Sequence, residues 1–208
     1  MITLKNIHKS FGQLKVLDDF SIDFDEGQVT CLLGPSGCGK STILKMLSKL
    51  DNKYVGVIEG LDNKKLSYVF QESRLIPWLT VEENLSYVLE GQLPEDKLEE
   101  HIEFFLNQVE LNAFKKAYPN TLSGGMKQRV SLARAFSMPH DILLMDEPFQ
   151  GLDEELKDQL MTLLENLICL DKKTVIMVTH DLQEASRLGD KIIRLIGHPI
   201  TSSEEIRV

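Results

Sequence analysis

A glycine-rich run between an apolar strand and a helix carries the first residues whose types and spacing could do chemistry. It fits the pattern G-x-x-x-x-G-K-[ST] and consists of Gly34, Pro35, Ser36, Gly37, Cys38, Gly39, Lys40 and Ser41. Glycines let the backbone curl so that successive N–H groups face phosphate oxygens, and the positive end of the following helix adds to the field. We expect Lys40 to bridge the β- and γ-phosphates, Ser41 to ligate Mg²⁺ and Thr42 to hold the α/β region. This phosphate loop, Gly34 to Ser41, predicts a site for a purine nucleoside triphosphate with Mg²⁺.

An acidic pair, Asp146-Glu147, follows the apolar run Ile142–Met145. Ligands of open parallel sheets bind at the carboxyl ends of the strands, which is where this pair lies. In a site of this kind the first carboxylate usually reaches the Mg²⁺ shell. Glu147 is then placed to deprotonate the attacking water, a general-base role worth roughly 10²–10⁴ in rate. The alternative is a solvated acidic turn before Pro148.

Composition and charge limit the kinds of protein that this chain can be. The 208 residues contain 23 Lys and Arg against 32 Asp and Glu, and the net charge of −9 argues against a nucleic-acid partner. No apolar run approaches the roughly 18 residues needed to span a bilayer, and the start has no signal-peptide pattern. Cys31, Cys38 and Cys169 fit neither a disulfide framework nor a zinc site. We therefore expect an ordinary globular protein in a reducing cytoplasm.

Hydrophobic periodicity indicates which elements must position these residues. Near the N-terminus apolar and polar residues alternate, which is typical of half-buried strands in an antiparallel layer. Further on, short and fully apolar runs alternate with helical patterns, and such strands are typical of a parallel sheet covered on both faces. These predicted strands lie at residues 29–33, 66–70, 142–145, 174–178 and 192–196. The fold class is therefore α/β, with a mostly parallel core.

A helical insertion is predicted to interrupt this core from about Leu79 to Met138. Thr80 and Glu83 form a capping box before its first helix, and Pro94 suits the first turn of its second. Ser123 is placed to cap a third helix. A long amphipathic helix follows the acidic pair, and the polar end from residue 201 to 208 is expected to be frayed or a short terminal element.

The third of these helices begins with two glycines, in Leu122-Ser123-Gly124-Gly125-Met126-Lys127-Gln128-Arg129. Glycine is costly inside a helix, so this start makes sense if something must approach it closely. The segment resembles the signature motif of ATP-binding cassette (ABC) ATPases. The rest of the chain matches that family in order, through the phosphate loop, Gln71, the signature, Asp146-Glu147, Gly151-Leu152-Asp153 and His180.

The resemblance covers nearly all of the chain and implies a single ABC ATPase domain over residues 1–208. Its fold would be a P-loop NTPase (RecA-like) core with an N-terminal antiparallel β layer and an inserted α-helical subdomain. The core and its β layer would take residues 1–78 and 139–208, and the helical subdomain with the signature would take residues 79–138. The activity implied is ATP hydrolysis.

The resemblance also implies roles for single residues around the phosphates. Gln71 would ligate Mg²⁺ together with Ser41 and Asp146. His180 would contact the γ-phosphate. Lys40 would bridge the β- and γ-phosphates and Glu147 would deprotonate the attacking water, as inferred above from the residues themselves.

A second copy is part of what the resemblance implies. Ser123, Gly124 and Gly125 would complete the nucleotide site of that copy, so that ATP joins two chains head to tail. Asp153 would help to couple the two sites across this interface, or it is only a helix N-cap. The family commonly has Ser-Ala where this chain has Gln150-Gly151, so the details of that coupling differ.

Phe11 occupies the position where the family usually places an aromatic residue that stacks on adenine, with Val16 packed nearby. A ring face is sufficient for such stacking. The alternative is a core phenylalanine in an alternating strand.

The stretch from Gln71 to Val81 looks like the corresponding stretch of ATPase subunits from bacterial importers of nitrate, sulfonate, taurine and related small solutes. In such importers a separate integral membrane permease inserts a coupling helix beside this stretch, and an extracytoplasmic solute-binding protein delivers the solute. The chain would then sit peripherally at the cytoplasmic face of the cell membrane. Trp78 would line the groove for the permease or anchor the helical subdomain. The alternative function is that of a non-transport ABC ATPase acting with another partner complex.

Overall fold

The computed structural model describes residues 1–170 and 173–206, which form nine strands and six α-helices. The strands are β1 (Ile2–Phe11), β2 (Leu14–Phe24), β3 (Val29–Leu33), β4 (Val55–Glu59), β5 (Leu66–Val69), β6 (Ile142–Asp146), β7 (Thr174–Thr179), β8 (Lys191–Gly197) and β9 (Ile200–Ile206). The helices are α1 (Lys40–Leu47), α2 (Val81–Leu89), α3 (Glu95–Gln108), α4 (Gly124–Ser137), α5 (Glu154–Leu170) and α6 (Leu182–Leu188).

The described chain divides into two compact units. The first consists of the described residues within Met1–Tyr68, Asp141–Glu147 and Lys172–Val208, and the second of those within Val69–His140 and Pro148–Asp171. These units are defined by internal packing alone. The expected ranges of the core with its β layer (1–78 and 139–208) and of the helical subdomain (79–138) therefore stay a prediction.

One nine-stranded sheet, in the order β4-β1-β2-β9-β8-β3-β7-β6-β5, organises the first unit. Its centre is parallel: β3 pairs with β7, so that Leu32 lies opposite Val178, and β7 pairs with β6. Every residue of β3, β6 and β7 is buried, which explains why these strands are apolar at both odd and even positions. The predicted parallel core is confirmed.

The N-terminal strands form the predicted antiparallel layer. β1 pairs antiparallel with both β2 and β4, and the alternation of β2 buries Phe20, Ile22 and Phe24. The strand β4 was not predicted, because four of its five residues are exposed and it therefore lacks an apolar face.

The polar C-terminal stretch forms the second of the two expected alternatives, a terminal element. Strand β9 pairs antiparallel with β8, with Ile192 opposite Ile206. Residues 207 and 208 lie outside the described residues. The short helix α6 was also not predicted. It begins after Asp181, whose carboxylate accepts a hydrogen bond from Gln183 N.

Helices α2, α3 and α4 pack around the apolar core of the second unit, whose buried members include Leu85, Leu106 and Val130. The predicted capping box is present: Thr80 Oγ1 accepts from Glu83 N at 3.3 Å, and the Glu83 carboxylate accepts from Thr80 N at 2.7 Å. Pro94 stands one position earlier than predicted, as the residue before α3. No helix among the described residues is both long and apolar enough to cross a membrane.

Candidate functional site

The phosphate loop connects β3 to α1 in the first unit, as the sequence predicts. Gly37 and Gly39 have φ values of 78° and 124°, which favour glycine. A Cβ on Gly39 would also lie 2.6 Å from Cγ1 of Val16, so only glycine fits there. Because Gly39 is the residue before α1 and has no side chain, the first N–H groups of that helix receive no side-chain cap. Such a helix start has the donors and the dipole to bind an anion.

Lys40 is buried at the start of α1, and its ammonium points back along the loop. Nζ donates to the carbonyl oxygens of Gly34 at 2.8 Å and Pro35 at 3.0 Å, and it lies 3.2 Å from Oε1 of Glu147. Two hydrogen bonds and an opposite charge therefore stabilise a cation that would otherwise be costly to bury.

Asp146, the last residue of β6, contacts the phosphate loop through Ser41. Ser41 Oγ donates to its Oδ1 at 2.7 Å, and the Tyr68 hydroxyl donates to its Oδ2 at 3.2 Å. One hydroxyl and one carboxylate are hard oxygen ligands that suit Mg²⁺, which keeps several waters and shares its shell with substrate phosphates. Among the described residues no group of three or more His, Cys, Asp or Glu side chains forms a candidate metal site.

Glu147 adopts a left-handed backbone conformation that is rare outside glycine, with φ 44°. Its N–H donates to Val178 O at 3.0 Å, which holds the strained residue against β7. One carboxylate oxygen faces Lys40, and the other lies 3.2 Å from Nδ1 of His180. The strain thus aims the carboxylate between a buried cation and a half-exposed imidazole.

Phe11 ends β1 at a hairpin in which it lies opposite Leu14. Its side chain is 50% exposed, so the alternative of a core phenylalanine is wrong. Val16 on the next strand is buried and packs against Gly39 of the phosphate loop. A half-exposed ring is therefore carried on a hairpin that contacts the loop.

The signature lies at the start of α4 in the second unit. Ser123 Oγ accepts from Met126 N at 3.2 Å, which confirms the predicted cap. A Cβ on Gly125 would come within 2.7 Å of a terminal methyl carbon of Leu156, so that side chain would have to shift to admit a larger residue. A Cβ on Gly124 would meet no atom of the described residues within 4 Å, apart from its own helix backbone and chain neighbours. Packing among the described residues therefore gives no reason for Gly124.

Gln71 and the segment after Pro148 also belong to the second unit. The Gln71 amide donates to the side-chain oxygen of Gln150, the residue at which this chain departs from the usual family pattern. Asp153 accepts from Leu156 N at 2.9 Å and so is the predicted cap of α5. Gln128 donates to Pro148 O at 2.8 Å, and this buried link was not predicted.

Trp78 lies in the loop before α2 and is 75% exposed, so it does not anchor the helical subdomain. The loop itself is well held. Asn84 is fully buried and exchanges hydrogen bonds with both backbone groups of Ile76, and it also donates to Leu79 O and Thr80 O.

The structure thus brings together, within the first unit, the predicted residues Lys40, Ser41, Asp146, Glu147 and His180. The second unit carries Gln71, Ser123, Gly124 and Gly125, which are described there by themselves. Tyr68 is the site residue that sequence reasoning missed, because it contacts Asp146 across 78 positions of sequence and belongs to no motif.

Comparison with known proteins identifies the family. A family model described as ABC transporter matches residues 17–150. An aliphatic sulfonates import ATP-binding protein of Bacillus cereus is 40% identical over 94% of this chain and 79% of its own length. A second such protein, of Burkholderia cenocepacia, is 35% identical over 100% of this chain and 78% of its own length.

Solved structures agree with this. A dimeric bacterial ABC transporter cassette, MJ0796, matches with a TM-score of 0.86 and 32% identity over the whole of both chains. The same cassette in a post-hydrolysis state, bound to ADP and Pi, matches with a TM-score of 0.83 and 33% identity over the whole of both chains. The chain therefore belongs to the ABC transporter family and is an ABC ATPase.

Proposed function

We propose that this chain is the ATP-hydrolysing subunit of a small-solute importer, and that it acts as two copies joined head to tail around ATP and Mg²⁺. The cluster of Lys40, Ser41, Asp146, Glu147 and His180 is the observation that carries the proposal. Each of these side chains has a hydrogen-bond or ion-pair partner within the cluster, so the catalytic groups are preorganised.

The phosphates of ATP bind at the start of α1. The free N–H groups after Gly39 and the ammonium of Lys40 supply the positive potential, although the chain as a whole carries a charge of −9. Thr42, in the first turn of α1, lies where it would hold the α/β region.

Ser41 and Asp146 would hold Mg²⁺, with Gln71 as a third ligand. When bound, the ion neutralises charge that develops on the phosphate oxygens during transfer. The short contact between Ser41 Oγ and Asp146 Oδ1 keeps the two oxygen ligands close together.

Glu147 is the general base. Water attacks the γ-phosphorus as the bond to the β–γ bridging oxygen breaks, and the proton of the water passes to a Glu147 oxygen. His180 contacts the γ-phosphate and, at 3.2 Å from Oε2, also fixes the rotamer of the Glu147 carboxylate.

The second copy completes each site. Ser123 and Gly124 are exposed, and Gly124 has open space where a side chain would be. This start of α4 suits the close approach of the γ-phosphate bound by the other copy. Two equal sites then follow from a C₂ arrangement.

The importer assignment rests on the two relatives described as aliphatic sulfonates import ATP-binding proteins, at 35–40% identity. By analogy the chain works at the cytoplasmic face of the membrane, bound to an integral permease and served by a solute-binding protein. The exposed Trp78, on a loop pinned by buried Asn84, supports a protein contact at this place. A sulfonate, nitrate or related small anion is the proposed solute class.

Reconstitution tests this function. The chain is placed in proteoliposomes with the permease and solute-binding protein encoded beside its own gene, and uptake of labelled taurine and nitrate is followed. We expect uptake that requires ATP, with a Glu147→Gln variant as the inactive control. Wild-type ATP hydrolysis without uptake, and without any effect of the permease on its rate, would contradict the transport assignment while leaving the ATPase intact.

A further inference from the structure

Lys9 is a buried cation next to Phe11, the residue on which adenine is proposed to stack. It belongs to none of the motifs described above. It lies on β1 two residues before Phe11, so both side chains leave the same face of the strand. Its side chain is only 2% exposed. Its Nζ lies 4.6 Å from the centroid of the Phe11 ring, over one face.

Oxygen atoms of two residues, Asp51 and Lys53, hold the Lys9 ammonium in this place. Both carboxylate oxygens of Asp51 lie 2.7 Å from Nζ, and the Lys53 carbonyl oxygen accepts from it at 2.7 Å. The hydrogen bond from Lys9 lowers the pKa of the Asp51 carboxyl below its usual range, helped by a bond from the Lys53 N–H. The carboxylate is therefore charged at neutral pH, and the cation stays paired.

Asp51 also connects this cluster with helix α1, which follows the phosphate loop. Asp51 follows α1, and its N–H donates to Lys45 O of that helix at 3.0 Å. The opposite end of α1 is the phosphate-binding start at Lys40. Asp51 therefore bonds to the α1 backbone through its N–H and to the Lys9 ammonium through its carboxylate, and that ammonium lies over the ring.

Phe11 needs such support because it is half-exposed at the end of a strand, next to the left-handed Gly12 with φ 59°. An unsupported ring there would lose rotamer freedom on stacking, which weakens binding. A cation over one face attracts the ring and leaves the other face available.

We propose that Lys9 is a positioning residue for the nucleotide base: it holds the Phe11 ring so that the free face meets the purine. This inference rests on the proposed function, because it takes Phe11 to be the surface on which adenine stacks. Lys9 itself touches no part of the nucleotide and acts only through the ring.

A double-mutant cycle tests the inference. Lys9→Met keeps most of the side-chain volume and removes the charge, and Phe11→Ala removes the ring. Dissociation constants for ATP and for tripolyphosphate are measured in the Glu147→Gln background, where ATP is not consumed. Lys9→Met should raise the constant for ATP about two- to fivefold and leave that for tripolyphosphate unchanged. In the Phe11→Ala background Lys9→Met should have no further effect on ATP.

Two controls keep the outcome decisive. Lys9→Arg retains a cation and should restore most of the ATP affinity. If Lys9→Met does not fold, Asp51→Asn gives the same comparison, because it keeps an oxygen acceptor and removes the charge that holds Nζ. Equal weakening of ATP and tripolyphosphate, additivity with Phe11→Ala, or no change in ATP affinity would each overturn the positioning role. Failure of the wild type to bind or hydrolyse ATP would instead overturn the proposed function.

Discussion

The two units differ in how far their predicted functional residues are buried and bonded within the chain. In the first unit Lys40 and Glu147 form a buried ion pair, and buried Asp146 accepts from Ser41 and Tyr68, so the chain supplies their partners itself. In the second unit Ser123 and Gly124 are exposed, and the side-chain position of Gly124 borders open space. The difference indicates that chemistry is preorganised within one chain, whereas the signature is shaped for a surface that another molecule provides. Variants of the two regions should therefore fail differently.

The largest effect is expected from Glu147→Gln. Glutamine keeps the shape and an acceptor oxygen but cannot take a proton from water, so turnover should fall about 10²–10⁴-fold. ATP binding should survive, because Lys40 keeps its two carbonyl partners. Phosphate release and gel filtration with ATP are the measurements, and the variant should accumulate as a dimer. Wild-type hydrolysis would remove Glu147 as the base.

Ser123→Arg is expected to have the next largest effect. The long cation should prevent close approach of a second chain and lower hydrolysis by about 10²-fold or more, while each monomer still binds ATP. Sedimentation with and without ATP measures the dimer. Ser123→Asn is the matched control, since asparagine also caps helices and should preserve folding. ATP-dependent dimerisation of the arginine variant would contradict the composite site.

The adjacent glycines sharpen the comparison within the signature itself. Gly125→Ala should be less stable than Gly124→Ala by about 1 kcal/mol, because only its new Cβ displaces the Leu156 side chain. Gly124→Ala should leave stability unchanged or raise it by up to about 1 kcal/mol, since alanine favours the helix. Its ATPase rate should nevertheless fall. Urea unfolding and phosphate release separate these effects, and a destabilised Gly124→Ala would refute the open-space interpretation.

The smallest effect is expected at Gln150, the departure from the family pattern. Its side chain accepts from the Gln71 amide nitrogen, which leaves the Gln71 oxygen for the Mg²⁺ role that we propose. Gln150→Ala should raise the Mg²⁺ concentration for half-maximal hydrolysis by about two- to threefold, as suits loss of one exposed hydrogen bond. Gln150→Glu keeps the acceptor and should stay near the wild type. An unchanged or lower Mg²⁺ requirement in Gln150→Ala would show that the contact does not orient Gln71.

Much of the fold was predictable because its signals are local. The strand, loop and helix around Lys40, the capping box at Thr80 and the cap at Ser123 each depend on residues within a few positions of one another. Local signals of this kind did not predict the strands β4 and β9. Both are largely polar or exposed, and they form because β1 and β8 offer free edges to pair with.

Within the site, too, some side-chain contacts join residues that are far apart in the sequence and have no local signal. The contact of Ser41 with Asp146 spans 105 positions, and that of Tyr68 with Asp146 spans 78. Such contacts depend on which strands are neighbours in the sheet and in what register, and no local pattern specifies this. The end of an apolar strand, together with the phosphate loop, predicted a Mg²⁺ role for Asp146, but no motif pointed to Tyr68 or Lys9.

The sequence by itself determined which groups can bind phosphate, ligate Mg²⁺ and activate water, because glycine, lysine and carboxylate chemistry is fixed by residue type and short spacing. Tertiary structure alone decided that Glu147 lies between Lys40 and His180, that Trp78 is exposed, and that the Phe11 ring lies over a buried Lys9. These features arise from packing between segments distant in sequence. Their free energies depend on neighbours that only the folded chain brings together.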